Sequence, residues 1–248
     1  MIPTQQDVES RALQREGFAV CHGMIDSAAL DRAANALEKA PSQMFAGRRA
    51  GLRDVFAFPA LSALTERPEL SHLAGTLLGK EAFVVRALIF DKNAESNWKV
   101  AWHQDLTICV HERIDTPGFG PWSQKEGVPH VQPPVEILER MITLRLHLDD
   151  CAQSNGALRV LPGSHLDGKL TAQAIESWRI STPEFPCIAA RGDVRAMRPL
   201  LLHASSAASD PRHRRVLHLE FAAEELPGGL QWRAMTGQPV VASNAVRG

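Results

Sequence analysis

Val100 to Val110 reads VAWHQDLTICV, a histidine and an aspartate two residues apart inside an apolar, β-branched run. In an extended strand, residues i and i+2 point to one face. His103 and Asp105 therefore project together, with Lys99 and Ala101 on the same side. A neutral imidazole beside a carboxylate supplies two of the three ligands of the 2-His-1-carboxylate facial triad that holds ferrous iron. On its own the tripeptide H-x-D is common, and a surface or capping pair is its plain alternative.

Working outward, the runs on either side have the same character. AFVVRALIF, MITLRLHLDD, GALRVLPGS, PCIAARGDVRAMRPLLLH and RRVLHLEFA are β-branched or alternating, and Gly, Pro, Asn and Asp separate them. The segment before residue 82 reads as helix. Asp7 or Ser10 is the cap candidate for a helix ending at Glu16–Gly17. Asp26 or Ser27 caps a second whose apolar face is Ala28, Leu30, Ala33, Ala34 and Leu37. A third pattern covers Leu61 to Leu78, with Pro68 as a break and Gly79 as its stop. His111 to Pro134, rich in Gly and Pro, reads as a long loop of the kind that covers binding sites. Leu166 to Trp178 reads as an inserted helix. The outline is one domain over residues 1–248: a helical layer over about 1–80, a β-barrel body over about 82–222 and a tail over 223–248. The fold class is α+β, mainly β, with an antiparallel body.

A hundred residues beyond the H-x-D comes RGDVRAMRPLLLHASS. Gly192-Asp193 is a turn, a strand follows, and His203 ends it inside an apolar run. As a third ligand, His203 would sit on another strand reaching the same barrel mouth; a satisfied core histidine is the alternative. Arg214 follows after the turn signal SDP and would lie deeper in the same barrel. A guanidinium there can clamp a carboxylate through two charge-assisted bonds.

WHQD at 102–105, LDDCAQSNGALRVLPGSH at 148–165, GDV at 192–194, HASS at 203–206 and RRVLHLEF at 214–221 together resemble the phytanoyl-CoA dioxygenase family. The resemblance runs from about Phe83 to Phe221. It implies a double-stranded β-helix, a jelly-roll, cupin-like barrel with flanking N-terminal helices. It implies Fe(II) as cofactor, 2-oxoglutarate as cosubstrate and dioxygen as co-reactant. His103, Asp105 and His203 are then the iron ligands. Arg214 binds the distal carboxylate of 2-oxoglutarate, the family arginine falling eleven residues after the distal histidine, which selects it over Arg215. Ser205 and Gln104 match positions that often touch the cosubstrate, although strict alternation turns Gln104 away from the metal. Relatives that halogenate lack the carboxylate ligand, so Asp105 favours hydroxylation or a related oxidation, with succinate and carbon dioxide as products. Asn155, Gly156 and Pro162 to Ser164 read as structural turn residues.

Substrate-facing candidates follow from the strands. In MITLRLHLDD, Leu144, Leu146 and Leu148 share one face and Arg145 and His147 the other. If the leucines pack under the helices, Arg145 points into the barrel, where it binds an anionic group of cosubstrate or substrate. Arg86 lies inside the apolar strand FVVRALIF; a substrate carboxylate or an internal ion pair would satisfy it. Lys99 stands at the mouth. Arg53 and Trp122 lie on loops that would cover substrate, with plain loop packing as the competing reading. His218 shares the parity of Arg214. Several arginines around one site point to a small anionic substrate.

Composition narrows the alternatives. A formal net charge of -1 across 248 residues gives no global field for nucleic acid or an anionic membrane. Cys21, Cys109, Cys151 and Cys187 form no C-x-x-C pair and read as reduced thiols of a cytoplasmic protein. Neither a leader nor a bilayer-length apolar run is expected. A cupin-like metal enzyme that does not use 2-oxoglutarate and a non-catalytic binding or sensing barrel are the competing readings. The oligomeric state is not encoded in any pattern of the sequence.

Overall fold

The computed structural model describes residues 4–40, 52, 55–233 and 239–240. Helix α1 (Gln5–Glu16) starts at Thr4, whose hydroxyl accepts from Asp7 N while the Asp7 carboxylate takes the Thr4 N–H. This capping box makes Asp7 the third helical residue rather than the cap. Gly17, at φ 84°, ends the helix in the left-handed region, where a Cβ would run into the His165 ring. Asp26 caps α2 (Ser27–Glu38) by accepting from Ala29 N at 2.8 Å. The third helical pattern is two helices, α3 (Pro59–Thr65) and α4 (Pro68–Leu78), because Pro68 opens a new first turn.

The larger sheet contains β1 (Phe18–Cys21), β2 (Phe83–Lys92), β7 (Ile142–His147), β10 (Val194–Met197) and β12 (Arg214–Ala222). Its order is β1-β10-β7-β12-β2, antiparallel throughout. The smaller sheet, of order β3-β11-β8-β9, is built from β3 (Val100–His103), β8 (Leu158–Val160), β9 (Phe185–Cys187) and β11 (His203–Ser205). The architecture is the double-stranded β-helix. Strand β1, only four residues between two helices, belongs to the larger sheet although its surroundings read as helix. Residues 111–134 are not one loop: β5 (Trp122–Lys125) and β6 (Val128–Val131) form a hairpin that pairs with β4 (Ile108–Cys109). The inserted helix lies slightly later than expected, as α6 (Ala172–Ser181), capped by Thr171. The short α5 (Val135–Glu139) leads into β7, and β13 (Trp232–Arg233) pairs with β14 (Pro239–Val240).

The main core lies between the helices and the outer face of the larger sheet. Leu144, Leu146 and Leu148 are buried there with Leu30, Leu61 and Leu70 of the helices, and with Leu217 and Leu219 of β12. Alternation then turns Arg145 and His147 of β7, and Arg214, His218 and Glu220 of β12, to the inner face. The apolar outer face is what aims these polar groups into the barrel.

Candidate active site

His103 and His203 are register partners across β3 and β11. Their rings stand 4.2 Å apart between centroids. The Nδ1–H of each donates to the carbonyl two residues earlier, Ala101 O for His103 and Leu201 O for His203, both at 2.9 Å. A carbonyl only accepts, so both tautomers are fixed and each Nε2 lone pair is free. Both Nε2 atoms face Asp105, at 3.8 Å from Oδ1 for His103 and 3.7 Å from Oδ2 for His203. Metal–nitrogen bonds of about 2 Å bring donors to within about 4 Å of one another. The three donors therefore fit one ion, and theirs is the only such cluster among the described residues.

Asp105 does not owe its direction to strand pleating, because β3 ends at His103. Its N–H donates to Pro199 O at 2.9 Å. Gln104 beside it donates through Nε2 to Gly168 O and Leu200 O and accepts Leu170 N–H on Oε1. The Gln104 amide is thus taken up by backbone groups. It pins the segment carrying Asp105, and the residue also lines the cavity beside the triad, as expected of a position near the cosubstrate. Burial opposes the Asp105 charge, but His203, His218, His103 and Arg86 outweigh it and hold the carboxyl at about 2. Burial brings His203 down to about 4 against the opposing pull of Asp105. At neutral pH both are in metal-binding form.

The buried histidines set a stability profile. Burial holds His147, His165, His203 and His218 below the ordinary 6.5. For His203, the unfolded chain binds a proton between pH 6.5 and about 4 that the folded chain refuses, so stability falls as pH drops through that window. The loss from His203 is on the order of 3 kcal/mol. Metal-free protein should show a clearly lower urea midpoint at pH 5 than at pH 7; equal midpoints would contradict this picture.

Behind the triad opens a cavity of about 620 Å³. Its floor is cationic. Arg214 is 3% exposed and donates from Nη1 to Gly156 O at 2.7 Å, while its Nε has no partner among the described residues. Opposite it in register, Lys92 donates to Ser205 Oγ at 2.9 Å and to Ser206 O at 2.6 Å. Burial and the adjacent Arg214 lower Lys92 to about 7. Gly156, at φ 77°, lets this floor close up: a Cβ there would stand 3.0 Å from Ser206 O and 3.3 Å from the Lys92 Nζ. None of Arg214, Lys92 and Arg145 has a carboxylate within salt-bridge distance among the described residues, so the floor is complementary to an anion. Arg215 faces the other way. It grips Asp149 at 2.6 Å and reaches Ala34 O and Glu38 on α2.

The remaining expectations divide. Ser205, Arg145, Arg86 and Lys99 all line the cavity. Arg145 donates to His218 Nδ1 at 2.8 Å, and burial with Arg214 nearby lowers it to about 10. Trp122 does not line the cavity. It packs against the Ile108–Val131 cluster, under Arg113 at 5.3 Å, because the segment expected to be a free lid is a hairpin. Arg53 lies outside the described residues. Lys92, Trp98 and Lys125 line the cavity without having been expected there. Lys92 was readable in principle, since it shares the parity of Arg86 on β2; Lys125 depends on the hairpin.

The family model for phytanoyl-CoA dioxygenase matches residues 13–216. The chain belongs to the phytanoyl-CoA dioxygenase family. Iron(II) and 2-oxoglutarate as cofactors follow from that membership together with the His-Asp-His triad. Oxygenases of this family act on small molecules with dioxygen. The fold is shared with AviO1 from Streptomyces viridochromogenes Tue57, at 20% identity and TM-score 0.67, over 92% of this chain and 99% of that one. It is shared with SnoN, a non-heme alpha ketoglutarate dependent epimerase from nogalamycin biosynthesis, at 16% identity and TM-score 0.64, over 97% and 91%. EctD from S. alaskensis, solved with 2-oxoglutarate and 5-hydroxyectoine, aligns at 18% identity and TM-score 0.64, over 90% and 76%. No curated protein matches the chain in sequence. No helix among the described residues is long and apolar enough to cross a membrane.

Proposed function

We propose that this protein is a 2-oxoglutarate-dependent dioxygenase of one domain that hydroxylates an unactivated C–H bond of a small metabolite carrying an anionic group, releasing succinate and carbon dioxide. The observation that carries this reading is the pairing of a three-donor triad with a cationic, carboxylate-free floor in one cavity. Iron held by His103, Asp105 and His203 supplies dioxygen activation coupled to oxidative decarboxylation of the 2-oxo acid. The chain's own work is binding and orientation. Arg214 receives the distal carboxylate of 2-oxoglutarate, with Ser205 and Lys92 beside it. The apolar walls of Leu88, Phe90 and Leu106 exclude water from the reacting bond. Retention of Asp105 favours hydroxylation over halogenation, although neighbours on this fold include an epimerase and a carbocyclase. Four buried, unpaired cysteines support a reducing, cytoplasmic setting.

The test is anaerobic. Protein with Fe(II) and 2-oxoglutarate is expected to develop a weak visible metal-to-ligand charge-transfer band, followed by succinate when oxygen is admitted. Metal binding without the band would sink this reading in favour of a cupin-like metal enzyme that does not use 2-oxoglutarate.

A further inference from the structure

The wall of the larger sheet carries a second group of charges, built differently from the floor. Arg86 on β2 and Glu220 on β12 are register partners, and Arg86 Nη1 donates to Glu220 Oε1 at 2.8 Å. Their side chains are 16% and 8% exposed, and both line the cavity that holds the triad. A buried ion pair is a poor source of stability, since apolar residues of similar volume do as well or better. Here it stands beside Leu88, Phe90 and Leu106, where such residues would fit.

The couple is held so that half of it stays available. Arg145 donates to His218 Nδ1, so the His218 proton sits on Nε2, 3.4 Å from Glu220 Oε1. Arg86 and His218 thus both approach Oε1, and Oε2 has no hydrogen-bond partner among the described residues. Arg86 spends one nitrogen on Glu220 and keeps its others. Both residues line the cavity, and neither side chain is fully closed off from it.

This arrangement discriminates by charge. A ligand bearing only a carboxylate would bring a second negative charge beside Glu220. A ligand bearing only an ammonium would face Arg86 together with Lys99, which lines the same cavity. A molecule with both groups satisfies both sides. We propose that Arg86 and Glu220 read the head group of the substrate, a carboxylate on Arg86 and a protonated amine on Glu220 Oε2, so that the substrate is an amino-acid-type zwitterion with an apolar body. The proposal rests on the oxygenase reading and names the substrate class for that site.

The experiment uses iron-loaded protein supplied with 2-oxoglutarate. Succinate formation is followed with each proteinogenic amino acid, with its des-amino acid and with its decarboxylated amine. At least one amino acid is expected to raise the rate about tenfold or more above both of its analogues, a difference of about 1.4 kcal/mol. No stimulation by any amino acid, or equal stimulation by the des-amino acid, overturns the proposal. Glu220→Gln should shrink the preference over the des-amino acid to about threefold or less. Arg86→Gln should raise the KM for the amino acid about tenfold or more, with Arg86→Lys restoring part of it and the KM for 2-oxoglutarate moving far less. A couple with only a structural role would move both KM values together, and that result also overturns the proposal. Absence of the charge-transfer band in the parent protein would count against the oxygenase reading instead, so the two failures are distinguishable.

Discussion

Replacing Asp105 by alanine is expected to abolish 2-oxoglutarate turnover while leaving the fold intact. The carboxylate is about a third exposed, at 35%, on a segment after β3 and outside every apolar cluster. Its removal opens no core cavity, and the Asp105 N–H keeps its bond to Pro199 O. What is lost is the one anionic donor facing both Nε2 atoms. Removing a group that merely supports a metal ligand costs roughly 10- to 100-fold, so losing the ligand should cost about a thousandfold or more. Succinate formation, bound iron and the far-ultraviolet circular dichroism spectrum check this together. Turnover within tenfold of the parent would show that Asp105 is not a ligand.

Arg214→Ala should act on affinity rather than on the chemical step. A buried, bidentate, charge-assisted contact contributes about 1.5–3 kcal/mol. The KM for 2-oxoglutarate should therefore rise roughly 10- to 100-fold, with kcat changed much less. The contrast is with the next residue. Arg215 is tied to Asp149 and to α2 on the outer side of the sheet, so Arg215→Ala should lower the unfolding midpoint and leave the KM alone. Equal KM values for parent and Arg214→Ala would remove Arg214 from cosubstrate binding.

The difference between these two neighbours indicates what was legible. Period-two alternation in MITLRLHLDD and RRVLHLEFA was enough to sort inner from outer faces, since the leucines had one large apolar surface to join. The H-x-D pair, His203 and the helical layer were readable for the same reason: each is a local pattern or a family motif. Three things were not readable. The four residues of β1 carry too little pattern to stand out between two helices. The hairpin in residues 111–134 is fixed by its pairing to β4, and that pairing is what takes Trp122 away from the cavity and brings Lys125 to it. Gln104 lines the cavity, but the anchoring of its amide by three backbone groups from two distant turns is encoded by no one-dimensional pattern.

The register match of His103 with His203 also bears on how the chain folds. The two imidazoles come from strands one hundred residues apart in sequence, and they meet only when β3 and β11 are paired without a slip. A shift by one residue turns every side chain of a strand to its opposite face and scatters the donors. Metal capture is thus possible only after this long-range closure, the slow kind of event in chains dominated by distant contacts. Stopped-flow metal binding during refolding would serve as a clock for barrel closure, with helix formation already past when the signal appears.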